Sequence, residues 1–233
     1  DIDGTYAGTG TLRFDSSNNG VDILNASSVA NIEIAFAATS NAYLRGDITT
    51  NSVKVISGRL QTLAGNSITA TGSTDTLIVS DGATIFVYDA MSGFEEILNE
   101  PTSLFYYYGA DQTVRGGSYG NLYLYTAAST KTLAANIDVN GLLFINTNVT
   151  FDVDSTFNYQ INLAGNFDHN QDGIFKARAG TVVLDGSGTQ NIYMQVADTN
   201  HAFYNLTVSN TGRVEINDPT FILNNFSLSS GTA

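Results

Sequence analysis

Tyr119-Gly120-Asn121-Leu122-Tyr123-Leu124 is echoed by Phe203-Tyr204-Asn205-Leu206-Thr207-Val208, and Ile137-Asp138-Val139-Asn140-Gly141-Leu142-Leu143-Phe144 by Phe221-Ile222-Leu223-Asn224-Asn225-Phe226-Ser227-Leu228. The offset is the same in both cases, since 205 − 121 and 224 − 140 are each 84. Few residues are identical, but the apolar positions and the two Asn positions coincide, so what repeats is a pattern of burial. Other pieces return with variable spacers: Leu63-Ala64-Gly65-Asn66 as Leu163-Ala164-Gly165-Asn166, and Gln112-Thr113-Val114 as Gln190-Asn191-Ile192. Short alternating pieces in a kept order, at periods far longer than a hairpin, are how solenoids and arrays look in sequence. The chain reads as one solenoid segment over 1–233, with a partial unit at 1–30, units at 31–118 and 119–202, and a partial unit from 203. Because it starts and stops inside the repeat, it is expected to be a piece of a longer protein.

Composition points the same way. The 233 residues are 42% hydrophobic but only 13% charged, about half the usual charged share. Asn, Ser, Thr and Gly must therefore supply the polar surface. Two prolines and 22 glycines suit many short strands joined by tight turns. Alternation is plain through Ile32, Ile34 and Phe36, and again through Val53, Val55, Leu77, Val79, Ile85 and Val87. Asn19-Gly20 is a strong turn signal. If successive strands wind round one axis, each coil lies about 4.8 Å from the next. The expected fold is a right-handed parallel β-helix, a β-solenoid of about ten coils, with its hand set by the rule for parallel crossovers. Recurring Asn66, Asn140, Asn166 and Asn224 are expected to stack their amides as ladders. Tandem immunoglobulin-like β-sandwiches are the alternative.

The segment 89–103 departs from the pattern as an insertion of about a dozen residues relative to its counterpart before Asn205. Ser92 and Glu95 match a capping box, predicting one helical turn that Pro101 ends.

The pieces Gly180-Thr181-Val182-Val183-Leu184-Asp185-Gly186-Ser187-Gly188-Thr189-Gln190-Asn191-Ile192, Phe203–Val208, Ile137–Phe144 and Leu163-Ala164-Gly165-Asn166-Phe167 resemble the repeats of giant secreted surface proteins of gliding bacteria and their relatives. The resemblance implies an adhesin-like β-solenoid at the cell surface or outside the cell, exported by the type IX secretion system. No C-terminal sorting domain of that family is visible in the sequence.

A formal charge of −13 argues against nucleic-acid binding, which needs cations to replace counterions, and against adsorption to anionic membranes. No apolar run is long enough to insert in a membrane as a helix. The expected partners are neighbouring repeats of the same chain, or identical subunits end to end, and surface glycans. Among Phe105-Tyr106-Tyr107-Tyr108, alternation sends Phe105 and Tyr107 one way and Tyr106 and Tyr108 the other. Outward Tyr106, Tyr108, Tyr123 and Tyr125 offer a stacking surface for sugar rings; the plainer reading is an aromatic ladder on the flank of a sheet.

Asp168-His169-Asn170-Gln171-Asp172-Gly173 matches the first half of a calcium loop, with Asp168, Asn170 and Asp172 as oxygen ligands. Its twelfth position is Ala179, where such a loop needs a bidentate Glu, so an ordinary turn is the competing reading. No other cofactor is expected. Arg45-Gly46-Asp47 spells an integrin-type tripeptide, which arises often by chance. His169 and His201 have no nucleophile elbow or metal-spaced partner, and the bases are too scattered for a polysaccharide-cleaving cleft. Asp152 and Asp154 are the best carboxylate pair, read as a solvated strand face. No catalytic residue is assigned, and the expected role is structural and adhesive; a carbohydrate-binding module or a β-helix polysaccharide-degrading enzyme is the alternative.

Overall fold

The computed structural model describes residues 2–3, 7–15, 21–24, 28–37, 40–72, 74–126, 128–170, 172–196 and 198–229. The Asn19-Gly20 turn and residues 230–233 lie outside them. The chain is all-β and forms a parallel β-helix of about ten turns, divided into two units, residues 1–109 and 110–233.

In the first unit, one sheet runs Ile2–Asp3, Val21–Leu24, Asn41–Leu44, Arg59–Thr62, Thr84–Val87, Leu104–Tyr107, every neighbour parallel. The other begins with the long strands Ala7–Phe14, Ser28–Ala35 and Ile48–Ser57. Ile48–Ser57 then pairs with two shorter strands, Ile68–Ala70 and Thr76–Val79, so one bent side becomes two.

In the second unit the middle coils have three short strands each. Ser129–Leu133, Ile137–Val139 and Leu143–Ile145 lie under Val149–Asp152, Gln160–Leu163 and Phe167–His169. Further along, His201–Val208 spans two sides at once and shifts register between Phe203 and Asn205.

Period-two alternation puts every other side chain inside, and parallel register stacks like on like along the axis. Leu122, Leu143, Phe167 and Ile192 form one such column, each fully enclosed; Ala42, Leu60, Ile85 and Phe105 form its counterpart in the first unit. Burying a large apolar side chain contributes about 1.5–3 kcal/mol, so the columns supply most of the cohesion. Coil length follows from the column steps: 143 − 122 is 21, 167 − 143 is 24, 192 − 167 is 25.

Close stacking leaves no room at some corners. A Cβ on Gly165 would lie 2.0 Å from the Gly141 carbonyl oxygen, and one on Gly93, at φ 82°, 2.1 Å from that of Ala70. Only glycine lets the coils approach this far.

Three expectations are corrected. The segment 89–103 is no helical turn: Met91–Ser92 and Glu96–Asn99 are strands paired with Ile68–Thr69 and Thr76–Val79. A single turn of helix is marginal alone, whereas the preceding coil offers a ready ladder. The 84-residue echo is not a structural superposition either, because Asn121–Leu124 stands in one sheet of the second unit and Asn205–Val208 in the other. The Asn ladders form at other positions than expected, apart from Asn224. Asn140 and Asn66 donate to the backbone carbonyls of Tyr119 and Leu44, and Asn166 accepts from the Asn191 amide. Amide-to-amide pairs join Asn170 to Asn146, Asn217 to Asn191 and Asn224 to Asn205.

Those bonds belong to a wider device. A carboxylate or amide oxygen at a turn or a strand end accepts a backbone N–H at the corresponding corner one coil on. Asp47 takes Ser67 at 2.8 Å, Asp81 takes Thr102 at 2.9 Å, Asp111 takes Thr130 at 2.7 Å. Asn121 takes Leu142 at 2.9 Å, and Asn158 takes Ala179 at 2.8 Å. Each staple satisfies a corner donor that the strand ladders leave over.

Candidate functional site

The outward face of the first sheet in the second unit carries one column with chemistry on it. Since Leu122, Leu124, Leu143 and Ile145 point inward, Tyr123 and Phe144 point out. Register continues the column as Tyr123, Phe144, Asp168, Tyr193. Tyr125 joins it, its ring centroid 6.3 Å from Tyr123 and 5.7 Å from Phe144. Burial against these neighbours, with the Tyr125 phenol beside it, holds the Tyr123 hydroxyl above its usual range. The Asp168 carboxyl is also raised, by burial first and then by the Asp218 charge. Aromatic rims, phenol hydroxyls and a half-buried carboxyl in one row can engage the apolar faces and hydroxyls of a polymer lying along the axis.

The first unit has a parallel arrangement in the column Tyr43, Gln61, Phe86, Tyr106. Phe105 and Tyr107 are enclosed, while Tyr106 is half-buried and Tyr108 is 41% exposed, as alternation requires. Phe86 and Tyr106 stack at 4.5 Å with an 18° interplanar angle. A ring packed face to face with its neighbour offers its rim and hydroxyl more than its face, so this column works first as a ladder.

Asp168 sits in a strand and faces Asp218, the Asn170 amide reaches Asn146, and Gly173 closes a turn on the Asn170 carbonyl at 2.8 Å. Gln171 lies outside the described residues. Among the described residues no three or more His, Asp or Glu side chains are placed to hold a metal ion. In Arg45-Gly46-Asp47, the Asp47 carboxylate is taken by the Ser67 amide and hydroxyl, each at 2.8 Å.

Asp152 and Asp154 do not form the solvated pair expected of them. Asp152 is 8% exposed and grips Arg178 through both carboxylate oxygens, with Nε–Oδ1 2.9 Å. Burial pushes its carboxyl up, but the Arg178 hydrogen bonds and charge, the Asp154 amide and Lys176 outweigh burial and leave it below the usual range. Asp154 turns away in a left-handed conformation, φ 68°, and caps the amides of Thr156 and Phe157.

Since the folded carboxyl titrates below the unfolded one, the Arg178 pair contributes fully above the unfolded carboxyl range and is lost as pH falls through the folded value. Arg178→Gln should cost about 1–2 kcal/mol at pH 7, a buried-pair cost discounted for a partly exposed guanidinium. Denaturant unfolding of wild type and variant at pH 7 and pH 2 checks this, the difference closing at the lower pH.

Sequence reasoning missed Phe144 and Tyr193 as members of the outward column, and it missed Phe157, which is 68% exposed and stacks on Tyr159 at 5.5 Å. The alternation around Leu143 and Ile145 would have placed Phe144; the partners across coils have no such signal, because coil length varies. Comparison with known proteins finds no matching family model, no similar curated protein and no similar solved structure.

Proposed function

We propose that this chain is a structural and adhesive repeat segment of a secreted or cell-surface fibre, giving reach and stiffness. The observation that carries this reading is the staple system: in both units the turns of one coil are bonded to the turns of the next by side chains, over and above the strand ladders. Pulling the ends apart must break these bonds coil by coil. The rung Phe221–Leu228 supports the expected partners. Phe221, Leu223, Phe226 and Leu228 are each roughly half exposed or more, and a further coil, from adjoining repeats or an identical subunit, would cover them. The acidic, amide-rich surface keeps such assemblies apart laterally.

Force spectroscopy on the chain tests the proposal. Extension should proceed in steps of about 70–90 Å, the contour of one coil at ~3.6 Å per residue, and Asn121→Ala should lower the force of the step that opens its coil. Extension without steps, at forces typical of an unstructured chain, would refute it.

A second reading has one specific observation in its favour, the column Tyr123, Phe144, Asp168, Tyr193 with Tyr125 beside it. If that row binds surface glycans, binding on a glycan array should fall at least tenfold in Tyr123→Ala and stay unchanged in Phe157→Ala, a substitution on another face.

A further inference from the structure

The interior of the second unit is apolar along most columns, and two of them end in histidine where they meet. Leu124, Ile145 and His169 follow one another in register on one side. Lys131, Phe151, Phe175 and His201 do so on another. The two imidazoles meet edge to face, centroids 4.7 Å apart at 86°. His169 is fully enclosed and His201 is 7% exposed.

Their surroundings are unequal. His201 Nδ1 faces the Asp198 carboxylate at 2.5 Å, so a proton on this ring has a counter-ion. Both nitrogens of His169, and Nε2 of His201, lack a well-formed hydrogen bond, although backbone groups of Met194 and Gly173 stand near the His169 ring. Around the pair, Ile145 and Phe175 lie one coil back, Phe167 and Phe203 flank it, and Met194 is enclosed beside it. None of these is charged. Asp172 and Lys176 on the adjoining turn and strand are exposed, and Lys131 is three coils away along its column.

We infer that this histidine corner is an acid-sensitive latch: closed with His169 neutral, and opened when acid protonates it, releasing the packing of Phe167, Phe175 and Phe203. The closed coil sets the Asp198 carboxylate against His201 but offers no counter-ion to His169, whose charge would sit unpaired in an apolar interior. Burial and the adjacent imidazole accordingly hold His169 at about 4, against 6.5 unperturbed. The opened state therefore binds more protons than the closed one between those values, and opening grows as pH falls through that window.

Hydrogen exchange read by mass spectrometry on peptides covering 167–176 and 194–206 tests the latch, after correction for the intrinsic pH dependence of exchange. The opening equilibrium should rise by up to about tenfold per pH unit between about pH 6 and 4.5, one proton's worth of linkage. Peptides from residues 48–62 should not show this rise. In His169→Leu the rise should vanish. Should the leucine variant fail to fold, imidazole 15N shifts of the wild type decide alone: His169 should stay neutral in the folded protein at pH 5.5. A His169 that titrates near 6.5 without opening, or an equal pH response in His169→Leu, would overturn the inference.

Discussion

Phe167→Ala should lower the unfolding free energy of the second unit by about 3–5 kcal/mol, the range for removing an enclosed aromatic ring. Phe167 is fully buried between Leu143 and Ile192 in its column, and its ring meets Phe175 at 5.4 Å and Phe203 at 5.3 Å. Those partners come from the side facing it and from the next coil, so truncation opens a cavity that no single strand can close. Because each coil is held by its immediate neighbours, the loss should be read locally as well as globally. Exchange protection should fall most in Leu143–Ile145 and Thr189–Tyr193, the rungs on either side. Phe157→Ala, removing an equally large but exposed ring, should change stability by less than about 1 kcal/mol. Equal effects of the two substitutions in denaturant unfolding would mean that Phe167 is not inside.

The second large effect is expected at Lys131, whose ammonium is fully enclosed. It donates to the Ala110 carbonyl at 2.5 Å and to Gln112 Oε1 at 2.8 Å. Burial lowers its pKa to about 8, with the Asp111 charge opposing. Below that value the folded protein carries the full cost of an enclosed cation. Above the unfolded value of 10.5 neither state is charged and the cost is gone. Between the two the unfolded chain binds more protons, so stability rises with pH. Relative to Lys131→Met, wild type should gain about 2–3 kcal/mol between about pH 7.5 and 10.5, since a tenfold change in proton affinity corresponds to about 1.4 kcal/mol. Measuring against the variant cancels the tyrosines, which titrate in the same range. A difference that stays constant with pH would show that the ammonium is hydrated.

The fold class was legible because alternation survives translation into three dimensions. Ile32, Ile34, Val53, Val55, Leu77 and Val79 are all enclosed, and their short runs leave no length for helices. Which side of a coil each run occupies was not legible. Every side needs the same inward period and the same small or amide-bearing corner, so Asn121–Leu124 and Asn205–Val208 look alike and lie in different sheets. The same degeneracy hid the neighbours of the candidate site: Tyr123 signals an outward ring, but its pairing with Phe144 depends on a 21-residue step that the next coil does not keep. Asp152 was misjudged for a related reason. Its partner Arg178 lies 26 residues on, one coil away, where spacing along the chain carries no message. The enclosure of His169 and Lys131 was not foreseen, because a single polar residue in an alternating run cannot be told from a strand end until its column is known.

Distances along one outward column test the parallel stack most directly. Ser118, Asp138, Asn162, Val183, Thr207 and Ser227 are successive register partners. Spin labels on Ser118 paired with Val183, Thr207 or Ser227 should give mean separations near 14, 19 and 24 Å, at about 4.8 Å per coil, before allowance for the label arms. Separations that fail to grow in equal steps along this series, as in sheets folded back antiparallel, would contradict it.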